Sequence, residues 1–186
     1  MMPHLHNALW KRANQKISKF LENEGLGPKR LCGFEHKILN GKRLSSSLGE
    51  VGEVESLNLK NFQASSSSLC ILCPVGTSDD GLPLNINADY AAMGVSRELG
   101  AKNLIFLSDQ IGVLDHRKEL IKDLTEESFK ELSKKEVIVG GMFVKCLSIF
   151  KALKNGVDNI SLLDGRRENT LTEFIQGRVR GTRFTI

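Results

Sequence analysis

The chain has 186 residues, 40% hydrophobic and 26% charged, with a formal net charge of +4 at pH 7. That length suits one globular domain, its longest apolar runs (such as LCILCPV from Leu69) fall far short of the ~20 residues of a spanning helix, and its start lacks the apolar core of a secretory signal. Neither a membrane protein nor a secreted one is expected, and a cytoplasmic protein folded as a single domain over 1–186 is. The charge is uneven, with nine basic against three acidic residues in positions 1–43 and seventeen against nineteen afterwards.

In chain order, the first helix is predicted from about residue 5 to 24, with a core stripe of Leu9, Ala13, Ile17, Phe20 and Leu21, closed by Gly25 and Gly27-Pro28. Its basic residues are read as a solvated helix face. No aromatic residues interleave with them to stack bases, so no nucleic-acid partner is expected. Short strands are predicted around RLCGF and HKILNGKRL, paired as a hairpin, followed by an extended SSSLGEVGEVESLN and a weakened loop at Ser65–Ser68. From Leu69 onward strands and helices alternate, as in a mostly parallel sheet with crossovers.

Cys70 and Cys73 form a C-x-x-C, but they sit inside an apolar strand run and not on a helix start or a metal-binding turn, so both are read as buried strand residues. His4, His6, His36 and His116 have no evident set of co-ligands, and no metal site is expected.

The chemically informative stretch begins at the turn-rich SDDGLP. Asn85 and Asn87 follow it and precede Ala91, Ala92, Val95 and Leu99 at helical spacing, so Asn87 is predicted as an N-cap with Asp89 in the first turn, where a carboxylate suits the helix dipole. The strand Leu104–Leu107 then runs into a polar, glycine-containing loop, Ser108 to Asp115. In open α/β sheets, ligands bind beyond the carboxyl ends of the strands. Farther on, Val137–Val139 is predicted as a strand ending in Gly140-Gly141, which open a helix with Lys145 one turn inside. Glycines at such a turn let backbone N–H groups approach an anion.

The ordered set NINAD (Asn85–Asp89), LSDQIGVLD, GGMFVK (Gly140–Lys145), SLLDGR and terminal GTRFTI, with GEVGEVESLN upstream, resembles the C-terminal two-thirds of the acetylglutamate kinases of the amino acid kinase family. The resemblance implies a three-layer α/β fold, an open, mostly parallel sheet with helices on both faces. It also implies transfer of the γ-phosphoryl of ATP, with Mg2+, to the side-chain carboxylate of N-acetylglutamate in arginine biosynthesis. On this reading Asn85 contacts the acylated amino acid, with Asn87 beside it. Asp89 and Lys145 are the catalytic pair, the first holding the catalytic lysines in place and the second touching the donor phosphates. Ser108, Asp109 and Gly112 form the loop beside the nucleotide, and Gly140 and Gly141 the turn opening the phosphate-facing helix.

Members of that family open with a strand bearing a lysine and paired glycines, then a second glycine-rich turn and a substrate-binding arginine. This sequence opens MMPHLHNALWKR, which resembles a helix from the family's middle, so the expected fold lacks the N-terminal strands. Removing one such preorganised donor costs roughly a hundred- to a thousandfold in rate. The alternatives to a kinase are accordingly a nucleotide-binding partner without catalysis, or a decayed remnant. Unpaired sheet edges also lead us to expect a homo-oligomer, or association with a chain supplying the missing strands.

Overall fold

The computed structural model describes residues 2–45, 49–65, 69–178 and 181–186. It divides into two compact units, Met1–Glu98 and Leu99–Ile186.

The first unit opens with a helical run: α1 (Met2–His6), a π-helical segment (Asn7–Asn14) and α2 (Gln15–Asn23). The run matches the predicted helix, but the buried face does not match the predicted stripe. Asn14 and Ser18 are buried, whereas Ala13 is exposed and Ile17 and Phe20 are 50% and 63% exposed. A π-helical turn holds more residues than an α-turn, so a stripe counted at 3.6 residues per turn rotates off the sheet. The buried Asn14 offsets its desolvation by donating Nδ2 to the Ile71 carbonyl (2.8 Å) and accepting from Arg30 Nε (2.8 Å). Arg30 also lies 4.4 Å from the Trp10 ring centroid.

Strand β1 (Lys29–Cys32) pairs in parallel with β4 (Cys70–Cys73), and not with β2 (Leu39–Arg43) in the predicted hairpin. Residues 33–38 form a turn closed by Ile38 N–H donating to Gly33 O (2.7 Å), and β2 pairs antiparallel with β3 (Val51–Leu57). Strands β2, β3, β6 (Pro83–Ile86) and β5 (Val75–Thr77) close a small barrel. Leu31 of β1 and Ile38, Leu39, Leu57 and Ile86 form one buried apolar cluster with Ala91 of α4 (Ala88–Glu98). Helix α3 spans Leu59–Ser65, so Ser65 is helical, and the rest of the predicted serine loop lies outside the described residues.

The second unit is a four-stranded sheet of order β7-β9-β10-β8: β7 (Asn103–Ser108), β9 (Asn159–Asp164), β10 (Thr182–Thr185) and β8 (Asp123–Thr125). β7 runs parallel to β9 and β10 parallel to β8, while β9 and β10 are antiparallel. Among the described residues it carries the helices α5 (Glu126–Lys134), α6 (Gly140–Lys154) and α7 (Thr170–Ile175). Helix α5 starts in a capping box between Thr125 and Ser128. Phe150 packs its ring 5.3 Å from Phe129 and 5.6 Å from Phe184, joining both long helices to β10.

Val137–Val139 is a connection and not a strand. Glu136, at φ +55°, ends the helical path of α5, and Val137 N–H turns back to Leu132 O (2.9 Å). Only three residues then remain before α6, and of these Ile138 is buried.

Candidate functional site

In the second unit, β7 and β9 end side by side, with Ser108 and Asp164 in register. Past these ends the chain turns. Ser108 O accepts Gly165 N–H at 2.7 Å, and Ser108 Oγ accepts Gln110 N–H at 3.3 Å while meeting Asp109 Oδ1 at 3.2 Å. Asp164 is gripped by both arms of the Arg166 guanidinium at 3.0 and 3.1 Å, which holds its carboxyl below the ordinary range.

The loop that follows packs tightly at Gly112, whose φ of +144° disfavours a side chain. A Cβ there would lie 2.5 Å from Leu120 Cδ1 and 2.7 Å from Thr182 Oγ1. Opposite it, α6 begins after Val139, which caps with backbone alone, and no acidic residue occupies its first turn. The first helical N–H groups of such an end have no intrahelical partners and carry the positive end of the dipole. Gly140 has φ +58°, and neither Gly140 nor Gly141 has an atom within 4 Å of an added Cβ.

Between loop and helix lies an open cavity of about 540 Å³, lined by Ser108, Asp109, Gly112, Gly141 and Lys145 among others. Small-molecule sites commonly span ~300 to 1,000 Å³. Lys145 is half-buried, with Nζ 5.4 Å from the ring centroid of Phe106 on β7, a cation–π contact that keeps the ammonium beside the strand ends. Five of the six residues expected around a nucleotide therefore share one cavity, and Gly140 opens the helix that forms its wall.

The residues expected around an acceptor gather in the first unit. Asn85 sits on β6, in register with Val51 and Val75, its N–H bonded to Glu50 O at 2.8 Å. Asn87 Oδ1 accepts Asp89 N–H at 2.9 Å, and Asn87 O accepts Ala91 N–H at 2.9 Å, so Asn87 is the N-cap that the spacing predicts. Asp89 occupies the first turn of α4.

Sequence reasoning passed over Thr182. Its residue is 0% exposed, yet it bonds two points of the loop around the cavity. Its signal was a small polar residue inside the otherwise apolar alternation of a terminal strand. A second missed feature is Cys32, the register partner of Cys73. The Cys73 thiol, hydrogen-bonded to Cys32, holds that thiol below its usual range against the opposing effect of burial, and Cys73 is correspondingly pushed up. Cys73 is buried as predicted, while Cys70 is half-buried. Among the described residues, no helix is long and apolar enough to cross a membrane, and no group of three or more His, Cys, Asp or Glu could hold a metal ion.

The model of the amino acid kinase family matches residues 3–164. The acetylglutamate kinase of Helicobacter hepaticus is 36% identical over 164 residues, covering 85% of this chain and 58% of that protein. That of Aquifex aeolicus is 37% identical over 173 residues, covering 84% and 58%. This chain thus spans a little under three-fifths of the curated relatives it matches. The crystal structure of smu.665 from Streptococcus mutans UA159 superposes with a TM-score of 0.81 at 25% identity, covering 99% of this chain and 71% of that one. The chain belongs to the amino acid kinase family.

Proposed function

We propose that this chain binds ATP in the cavity of the second unit and takes part in phosphorylating the side-chain carboxylate of N-acetylglutamate, the chemistry of arginine biosynthesis. The observation that supports it most is the convergence of one cation, Lys145, and the N-terminal end of α6 on a cavity of about 540 Å³ at the end of β7. Phosphoryl transfer asks little covalent chemistry of a protein. It asks for two held anions and for neutralisation of charge on the transferred group. Lys145 and the α6 amides act on the donor phosphates, Ser108, Asp109 and Gly112 shape the loop beside the nucleotide, Asn85 and Asn87 meet the acceptor, and Asp89 positions the cationic side chains. A lysine one turn inside a helix N-terminus is disfavoured by roughly 0.3 to 1 kcal/mol, and a bound polyphosphate reverses that sign.

Magnesium enters with the substrate. It favours oxygen ligands and binds through phosphates with one or two carboxylates, keeping several waters. That suits a cavity carrying the Asp109 carboxylate.

A second reading is nucleotide binding without turnover, because among the described residues lining the cavity Lys145 is the one cation, and neutralising charge on a transferred phosphoryl group ordinarily takes several donors. One experiment separates the two. The purified chain is incubated with MgATP and N-acetylglutamate, acyl phosphate is trapped with hydroxylamine, and ATP binding is followed by thermal shift. Trapped product supports the kinase, and a shift without product supports the binder. A folded chain that responds to neither refutes both.

A further inference from the structure

The hydroxyl of Thr182 sits where it can control the shape of the cavity. Thr182 opens β10 and is 0% exposed. Its Oγ1 accepts Val113 N–H at 2.8 Å and donates to Ile121 O at 2.7 Å. Val113 and Ile121 are also bonded to each other, Ile121 N–H to Val113 O at 2.9 Å, and Leu114 bridges Leu120 one step farther out. The excursion from Ser108 to Asp123 is thereby pinned at its neck by one side chain from a strand some seventy residues away. Gly112 and Val113, on the pinned side, line the cavity, and Gly112 lacks a side chain at the point where a Cβ would strike Thr182 Oγ1.

We infer that Thr182 is a positioning residue for the nucleotide site: its hydroxyl holds the Gly112–Val113 wall in the ligand-ready shape, although it does not itself line the cavity. This deepens the proposed ATP reading and rests on it. Hydrophobic contacts alone would keep β10 in the sheet, since Phe184 is buried and bonded by register to β9 and β8. Only the hydroxyl satisfies both a donor and an acceptor of the loop neck. Without it, Val113 N–H and Ile121 O seek other partners, and a ligand must then select the ready shape from a mixture. Apparent affinity falls by the fraction that remains competent.

The test compares wild type with Thr182→Val, which keeps the volume and removes the hydroxyl, and Thr182→Ser, which keeps the hydroxyl. ATP affinity is measured by calorimetry at a temperature where all three are folded, with the melting curve recorded separately. The expected result is binding weakened ~10-fold or more in Thr182→Val and within ~3-fold of wild type in Thr182→Ser. Equal affinity in wild type and Thr182→Val overturns the inference while leaving the ATP reading intact. Absence of binding in wild type overturns the ATP reading and this inference with it. Should Thr182→Val fail to fold, amide exchange of Val113 in the free wild type decides. Slow exchange supports the clamp, and exchange as fast as in an open loop overturns it.

Discussion

At the scale of single residues, the decisive question is which side chains act on an anion and which only hold the fold. Lys145 is half-buried and next to Cys146, whose thiol is fully buried and pushed up to about 12 by desolvation. Two adjacent residues on one helix thus face opposite environments, one the cavity and one the core. Lys145→Ala should weaken ATP binding by ~10- to 100-fold, the usual worth of a hydrogen bond to a charged group, measured by titration. Asp89→Asn should spare ATP affinity and lower acyl-phosphate formation, because the proposed role of Asp89 is to orient cationic side chains around the transferred group and not to touch the donor. Equal affinity in wild type and Lys145→Ala would remove the basis for the site. The cysteines give an independent check on burial. A thiol reagent at neutral pH should label half-buried Cys70 in the folded chain and reach Cys146 only on unfolding, as mass spectrometry after timed quenching would read.

At the scale of elements, α6 was the most legible part of the chain and its approach the least. Gly140-Gly141 followed by Met142, Cys146, Ile149, Phe150 and Leu153 reads as a helix opened by glycines, and Cys146, Ile149, Phe150 and Leu153 are buried. The preceding Val137–Val139 reads as a strand by composition, yet positive φ at Glu136 leaves too few residues for one, a tertiary override of β-propensity. The first helix failed differently, because a π-helical segment changes the period on which the stripe was counted. The two glycines of α6 should part company on mutation. Gly140→Ala forces an alanine into left-handed space and should cost about 1 to 2 kcal/mol, lowering the melting midpoint by a few degrees. Gly141→Ala meets no atom and no positive φ, so it should spare the midpoint while placing a methyl on the cavity wall and weakening ATP binding. A calorimetric scan paired with an ATP titration checks both, and the reverse pattern would reject this division of roles.

For the whole molecule, sequence order made the motifs legible but not their partition. Asn85, Asn87 and Asp89 fall in Met1–Glu98, whereas Ser108, Asp109, Gly112, Gly140, Gly141 and Lys145 fall in Leu99–Ile186. Both units depend on surface carboxylates held in ionised form. In the first, the Ser78 hydroxyl and the Arg43 guanidinium bring Asp80 down to about 2. In the second, backbone N–H groups led by that of Glu119 lower Asp115, Lys130 and Lys154 lower Glu126, and Arg166 lowers Asp164. Each group has a folded pKa below its unfolded value, so its contribution to stability is complete above the unfolded value of roughly 4 and is lost as pH falls through the folded one. The carboxylates' contribution to the melting midpoint should therefore be flat from neutral pH to about 5 and decline as pH drops from roughly 4 towards 2, with high salt shrinking the decline because these groups are exposed. Asp80→Asn should flatten the most acid part of the curve, since the Ser78 hydroxyl and the Arg43 guanidinium bring that carboxyl down to about 2. A midpoint constant down to pH 2.5 in wild type would mean that these ion pairs contribute nothing to the folded state.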